Sequence, residues 1–205
     1  MIRSRPTIIV TAAGRGSRFG GPVHKLDQPF GDSTVLARTV RQAVSTQLSV
    51  VVVTVAARLP LLSQVLARRD IVVLSDDEAA RGMGATIAGG VAERSGAPGW
   101  LVLPGDMPLI QPATMLAVCA ALDQHPVAYA QFQGRRGHPV SFAAELYSEL
   151  IQLNGDDGAR RVMLRYPAQG VDVLDPGVLL DLDTPADLEA LRQVDREQKL
   201  KPADV

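Results

Sequence analysis

The chain has 205 residues, long enough for one sizeable domain with a well-buried core or for two small ones. Its net charge is −1, with 21 basic against 22 acidic residues, so no broad cationic face points to nucleic acid, and neither nucleic acid nor membrane is an expected partner. Cys119 is the single cysteine, which excludes an intrachain disulfide and fits a reducing compartment, and the longest apolar stretch, 50–57, is too short to span a bilayer.

In chain order, residues 1–6 carry two arginines, but the apolar run behind them is too short for a signal peptide, so a cytoplasmic start is expected. Ile8-Ile9-Val10 has the β-branched character of a buried strand and runs into Ala12-Ala13-Gly14. Helical spacing over 33–45 predicts a helix, with Asp32 or Ser33 as its cap. Residues 49–55 read as a buried strand and 59–68 as a helix with Pro60 in its first turn. A strand at 71–74 leads through Gly82-Met83-Gly84 to a helix at 85–94. A strand at 100–103 ends on Pro104-Gly105-Asp106, and a helix follows at 111–124, where Cys119 falls in the packing pattern. Alternating strands and helices imply a mostly parallel sheet with helices on both faces, and ligands in such sheets sit at the carboxyl ends of the strands.

The second half is less regular. Strands are expected at 128–132, 140–142, 170–174 and 178–182, with a turn at 134–139 and helices at 143–153 and 159–166. Thr184 caps a last helix with Pro185 in its first position, and the charged tail 195–205 is expected to fray. No linker divides the chain. The expectation is one domain over 1–205, with a nucleotide-binding half at about 6–125 and an acceptor-side half at about 126–194.

The segment 14–25 holds four glycines, Arg15, Arg18, His24 and Lys25, and no acid. Glycines allow sharp turns that present backbone N–H groups, and the cations supply full positive charge, so a strand emptying into this loop is a phosphate-binding arrangement. It is not a Walker A loop, because Lys25 follows His24 and precedes Leu26. It is not the dinucleotide fingerprint either, because Gly20 falls one residue too far from Gly16. Asp106, at a strand exit, is placed either to hold Mg²⁺ or to form a turn. In an extended segment Asp181 and Asp183 would share a face, and paired carboxylates there favour a cation between them.

Six stretches occur together: AAGRGSRFGG…K at 12–25, ARGMGATIAGGV at 80–91, LPGDMPLI at 103–110, GRRGHPVSF at 134–142, NGDDGARRV at 154–162 and DPGVLLDLDTPADL at 175–188. With these pieces the chain resembles the molybdenum cofactor nucleotidyltransferase family, the MobA-like NTP transferases, nearest the cytidylyltransferase branch. The resemblance implies a Rossmann-like α/β fold and Mg²⁺-dependent transfer of CMP from CTP to the terminal phosphate of molybdopterin. It also implies roles. Gly14, Arg15, Gly16, Ser17 and Arg18 would hold the triphosphate, with Lys25 at the α-phosphate. Ala12, Ala13, Gly82 and Gly84 would line the base site, and Asp106 and Asp183 would hold Mg²⁺. Lys25, Arg18 and Asp106 would be the catalytic residues. Arg136, Gly137, His138 and Pro139 would face the acceptor.

Departures are Thr11, where the family usually has Leu, and Gln28 to Ser33 in place of a plainer apolar stretch. His138 remains open to a turn hydrogen bond, and Asp156 and Asp157 to capping the next helix or contacting the acceptor. His24 and His125 read as loop residues without a role. The alternatives are a GTP-using guanylyltransferase, the same chemistry on a sugar phosphate, or a non-catalytic chaperone for a molybdenum enzyme, itself a possible partner.

Overall fold

A computed structural model describes residues 5–200. The expected cytoplasmic start at 1–6 falls largely outside the described residues, as does the end of the tail. Strand β1 (Thr7–Ala12) lies inside the sheet. A two-residue ribbon, β2 (Pro29–Phe30) and β3 (Ser33–Thr34), precedes helix α1 (Val35–Ser45) and strand β4 (Val50–Val55). Next come α2 (Leu59–Leu62), β5 (Ile71–Leu74), α3 (Asp76–Ala80), α4 (Met83–Glu93), β6 (Gly99–Pro104) and α5 (Pro112–Ala120). The rest comprises β7 (Val127–Phe132), β8 (Arg135–Ala143), α6 (Tyr147–Leu150), α7 (Arg160–Arg165), β9 (Ala168–Asp172) and α8 (Pro185–Leu200).

The sheet order is β5-β4-β1-β6-β8-β7-β9. Strands β5, β4, β1 and β6 pair in parallel, β8 pairs antiparallel with both β6 and β7, and β9 is parallel to β7. Only β8 therefore runs against the rest. The fold is Rossmann-like α/β with a mostly parallel sheet. Strands of such a sheet are buried on both faces, which explains why β1 and β4 are mostly apolar, broken only by the buried threonines Thr7, Thr11 and Thr54. Ile8, Val10 and Ala12 join one core cluster with Leu36 and Val40 of α1, Met115 and Cys119 of α5 and Leu191 of α8. Ile9 and Ala13 join the other, with Ile87 and Val91 of α4, Trp100, Leu150 of α6 and Val162 of α7. Cys119 is fully buried and its thiol is pushed up to about 12 by burial, so it stays protonated and packs.

The chain leaves β1 towards β4 on one side and reaches β6 on the other side only after β5. The carboxyl end of β1 is therefore the switch point, where a crevice opens.

Several local expectations need correction. Residues 178–182 form no strand. Asp175, only 2% exposed, accepts from the Gly177 N–H (3.0 Å), the Gln111 N–H (2.8 Å) and the Thr114 hydroxyl (2.7 Å). That buried carboxylate holds Pro176–Leu179 as a 3₁₀ turn against α5, and β8 already has neighbours on both sides. The turn expected at 134–139 shrinks to Gln133 and Gly134, with φ of 51° and 75°, a hairpin conformation that lets β8 begin at Arg135. Helix 59–68 stops after Leu62. Thr34 rather than Asp32 or Ser33 caps α1, accepting from the Ala37 N–H at 3.3 Å. Helix α3, unforeseen, starts at a capping box between Ser75 and Glu78. Helix α8 continues through 195–200, where fraying was expected, and Asp195 lies 3.6 Å from Arg38.

Candidate active site

A crevice of about 650 Å³ opens at the carboxyl end of β1. Its walls include Ala12 to Arg18 without a break, Lys25, Gly82, Asp106 and Asp183. Sequence-distant residues meet here because β1, β5 and β6 run parallel and each delivers its following loop to the same edge. Arg15, Ser17 and Arg18 are exposed at the rim, while Ala12 and Ala13 are buried in the wall.

At the floor, the Lys25 ammonium donates to Asp106 Oδ2 at 2.6 Å, to the Leu182 carbonyl at 2.7 Å and to Asp183 Oδ1 at 3.0 Å. Arg18 donates to the other oxygen of Asp183 at 2.5 Å. Burial disfavours the Lys25 charge, but Asp106 and Asp183 outweigh it and hold its pKa above the ordinary lysine value. Asp183 is fixed from behind. Asp187 Oδ2 accepts from the N–H groups of Asp183 (3.1 Å) and Thr184 (2.7 Å), while Thr184 caps α8 through the Asp187 N–H (3.3 Å). Asp106 is tied to the same segment, since its carbonyl accepts from the Leu182 N–H at 3.2 Å. Asp181 and Asp183 both line the crevice, Asp181 exposed and close enough to His138 to act on its charge.

A second cavity, of about 530 Å³, adjoins the first. Thr11, Met83, Pro104, His138 and Asp156 line both, so the two meet at those residues. Its floor is apolar, with Ile87, Val140, Phe142 and Met163, and its rim carries Arg136, Asp157 and Arg160. Arg136 stacks over the Tyr129 ring at 4.4 Å and donates to the Met163 sulfur. His138 makes no hydrogen bond among the described residues; desolvation lowers its pKa against the opposing pull of Asp106 and Asp181.

The expected site residues divide. Arg136, Gly137 and His138 line the second cavity, whereas Pro139 is buried and lines neither. Gly82 lines the crevice, but Gly84 lines neither cavity. A Cβ on Gly84 would come within 2.7 Å of the Asn154 backbone, and one on Gly82, at φ 91°, within 2.6 Å of Gly155. These glycines let the loop at 154–158 close over the start of α4, where the Gly84 N–H donates to the Gly155 carbonyl at 2.8 Å. Asp156 and Asp157 leave α7 uncapped and turn to the cavities.

Three residues escaped the sequence reading. Thr11 lines both cavities with a buried hydroxyl that has no hydrogen-bond partner among the described residues. Arg58, 6% exposed, reaches the Ala12 carbonyl at 3.4 Å. His24 bonds across the glycine loop. Only the unusual Thr11 gave any signal; the other two are ordinary residues whose partners are set by folding.

The MobA-like NTP transferase domain matches residues 8–171. The chain belongs to that family. It carries a nucleotidyltransferase domain, and its substrate class is a nucleoside triphosphate. The purine catabolism protein PucB of Bacillus subtilis strain 168 is 28% identical over 199 residues, covering 90% of this chain and 95% of that protein. A nucleotidyl transferase from Methanothermobacter is 25% identical with a TM-score of 0.78, covering 95% of this chain and 99% of that one. Rv0371c from Mycobacterium tuberculosis H37Rv, in a complex with manganese, is 25% identical with a TM-score of 0.76, covering 93% of this chain and 99% of that one.

Proposed function

We propose that this chain transfers CMP from CTP to the terminal phosphate of molybdopterin, in a Mg²⁺-dependent reaction that releases pyrophosphate. The observation that carries the reading is the meeting of Lys25, Asp106 and Asp183 at the floor of a crevice walled by the glycine loop.

The oxygens of Asp106, Asp183 and Leu182 all face the point where the Lys25 ammonium lies, so the donor set suits a hard cation. Among the described residues no cluster of three or more His, Cys, Asp or Glu side chains could hold a metal alone. Mg²⁺ normally completes its shell with phosphate oxygens and water, so two carboxylates suffice. Asp106 and Asp183 would hold the ion. When bound there it would neutralise phosphate charge and polarise the α-phosphoryl group. The manganese of Rv0371c supports a divalent-ion site in this fold.

The chain's own residues do the rest. The N–H groups of Gly14 to Arg18 and the Arg15 and Arg18 guanidiniums would receive the β- and γ-phosphates. Lys25 would move from the carboxylates to the α-phosphate, a short swing for an ammonium on a flexible stem. An oxygen of the acceptor phosphate bonds to the α-phosphorus as the bond from that phosphorus to the bridging oxygen breaks, and pyrophosphate leaves with the electron pair. A dianionic acceptor phosphate gives up no proton, so no protein base or nucleophile is required. Catalysis is positioning plus charge neutralisation.

The second cavity meets the crevice at His138 and would hold the acceptor, its body over the apolar floor. That floor favours a flat acceptor over a sugar phosphate, whose hydroxyls would find few partners there. Ala12 and Ala13 close the wall where the base lies, which favours a pyrimidine over a purine. The test is a screen of triphosphates against phosphorylated acceptors for pyrophosphate release. CTP with molybdopterin should give the fastest release. Release with a sugar phosphate but not molybdopterin would reject the acceptor, and triphosphate binding with no release for any acceptor would favour a carrier role.

A further inference from the structure

We propose that His24 is a positioning residue for the triphosphate loop: its neutral imidazole, bonded at both nitrogens, ties the start of the loop at Gly14 to the turn that delivers Lys25. The proposal rests on the reading of the crevice as a triphosphate site.

The geometry admits one chemical form of the ring. Nδ1 lies 3.1 Å from the Leu26 backbone nitrogen, which can only donate, so Nδ1 must carry a lone pair. Nε2 lies 3.1 Å from the Gly14 carbonyl, which can only accept, so Nε2 must carry the hydrogen. The neutral Nε2–H tautomer meets both demands. The Nδ1–H tautomer meets neither, and the imidazolium sets an N–H against the Leu26 N–H.

The Leu26 bond caps the 3₁₀ turn Lys25–Asp27, which aims the lysine at the floor of the crevice. The Gly14 bond fixes the other end of the loop. The middle of the loop rests on the same ring: a Cβ on Gly16, at φ 62°, would fall 2.7 Å from Nε2. Phe19 anchors the middle of the segment in the core and its N–H donates to the Gly16 carbonyl at 3.1 Å, and Arg18 pairs with Asp183, but the tie between the start of the loop at Gly14 and the turn at Lys25 is made by the half-buried His24 ring. A loop held in its binding shape loses less freedom when the triphosphate arrives.

The charged groups around the ring favour the neutral form on balance. Burial lowers its pKa, followed by the Arg58 guanidinium; the hydrogen bond to Gly14 and the Asp27 carboxylate oppose them, and Lys25 adds a small further lowering. A depressed pKa means that the brace is complete above the ordinary histidine value and is lost as pH falls through the value in the folded protein.

Two substitutions separate the two bonds. His24→Asn puts an oxygen where Nδ1 lies, keeping the Leu26 bond, but is too short for Gly14. His24→Gln reaches towards Gly14 and gives up the Leu26 bond. Calorimetric titration with CTP and Mg²⁺ should show each variant binding about five- to tenfold more weakly than wild type, the loss of one hydrogen bond that orders the loop. The gap between wild type and variant should be constant above the ordinary histidine value of 6.5 and narrow as pH falls below it, since only the wild type has the His24 imidazole to protonate. Comparison within the pair removes the titration of the nucleotide itself. A fold defect alone would lower the melting temperature without giving this pH-dependent difference. Equal affinities with parallel pH profiles would overturn the proposal. A wild type that binds no triphosphate would refute the reading of the crevice instead. Nitrogen-detected NMR of the His24 ring without nucleotide would then still decide the brace: Nε2–H with a depressed pKa is expected, and Nδ1–H or an undepressed pKa overturns it.

Discussion

Lys25 has three oxygens around its ammonium, and Arg18 holds the outer oxygen of Asp183. Two cations thus balance two carboxylates before any ligand enters. In the proposed function a triphosphate would offer both cations a better partner, and their departure would free the carboxylates for a divalent ion. The Arg18–Asp183 pair breaks at little cost because Arg18 is 77% exposed there. Lys25→Ala should lower the catalytic rate by about a hundredfold while weakening CTP binding far less, as fits a charge used most at the reacting phosphate. Steady-state rates beside calorimetric affinities check this, and a loss confined to affinity would make Lys25 a simple phosphate anchor. Asp106→Asn should cost about a thousandfold in turnover with the fold retained, the scale of losing metal-borne charge stabilisation. Near-normal turnover in a folded Asp106→Asn protein would refute its role.

At the scale of elements, the crevice depends on how the two halves of the chain meet. The loop at 154–158 closes on the start of α4 only because Gly82 and Gly84 lack side chains. Gly84→Ala should therefore destabilise the protein by about 1–3 kcal/mol, the usual cost of overpacking, and lower the melting temperature. An unchanged melting temperature would mean that the loop does not pack there. The same junction shows how far sequence carries. The parallel half was legible because buried strands and amphipathic helices have distinct periods, and the glycine loop and Asp106 were legible because each follows a strand; Asp183 was singled out from an expected strand that does not form, and it reaches the crevice instead just ahead of Thr184, the cap of α8. The 3₁₀ turn at Pro176–Leu179 was not legible, because Val178, Leu180 and Leu182 alternate like a strand and only the buried Asp175 overrides that pattern. Gly82 and Gly84 were singled out for the base site; Gly82 lines the crevice, and both also allow close packing between segments about 70 residues apart, which sequence does not reveal. His24 gains its meaning from partners chosen by the fold and Thr11 from its place between the two cavities, which composition and spacing do not encode.

At the scale of the whole molecule, a near-neutral chain concentrates its chemistry at one edge of one sheet. Both faces of β1 are sealed by separate core clusters, so the crevice at its carboxyl end is held by the most deeply buried part of the fold. In the proposed function the closed wall at Ala12 and Ala13 would carry base selection. Replacing both with glycine should raise GTP turnover relative to CTP by about tenfold, within the 1–3 kcal/mol that pocket shape alone supplies. Competition between the two triphosphates would measure that ratio, and no change would place base selection elsewhere. The most direct test of the central claim is transfer of label from α-labelled CTP to molybdopterin by the purified protein with Mg²⁺. The account predicts label in a cytidine dinucleotide of molybdopterin, with one pyrophosphate released per transfer, and with GTP a poorer donor. Retention of all label in CTP with an intact acceptor, or faster transfer from GTP, would contradict it.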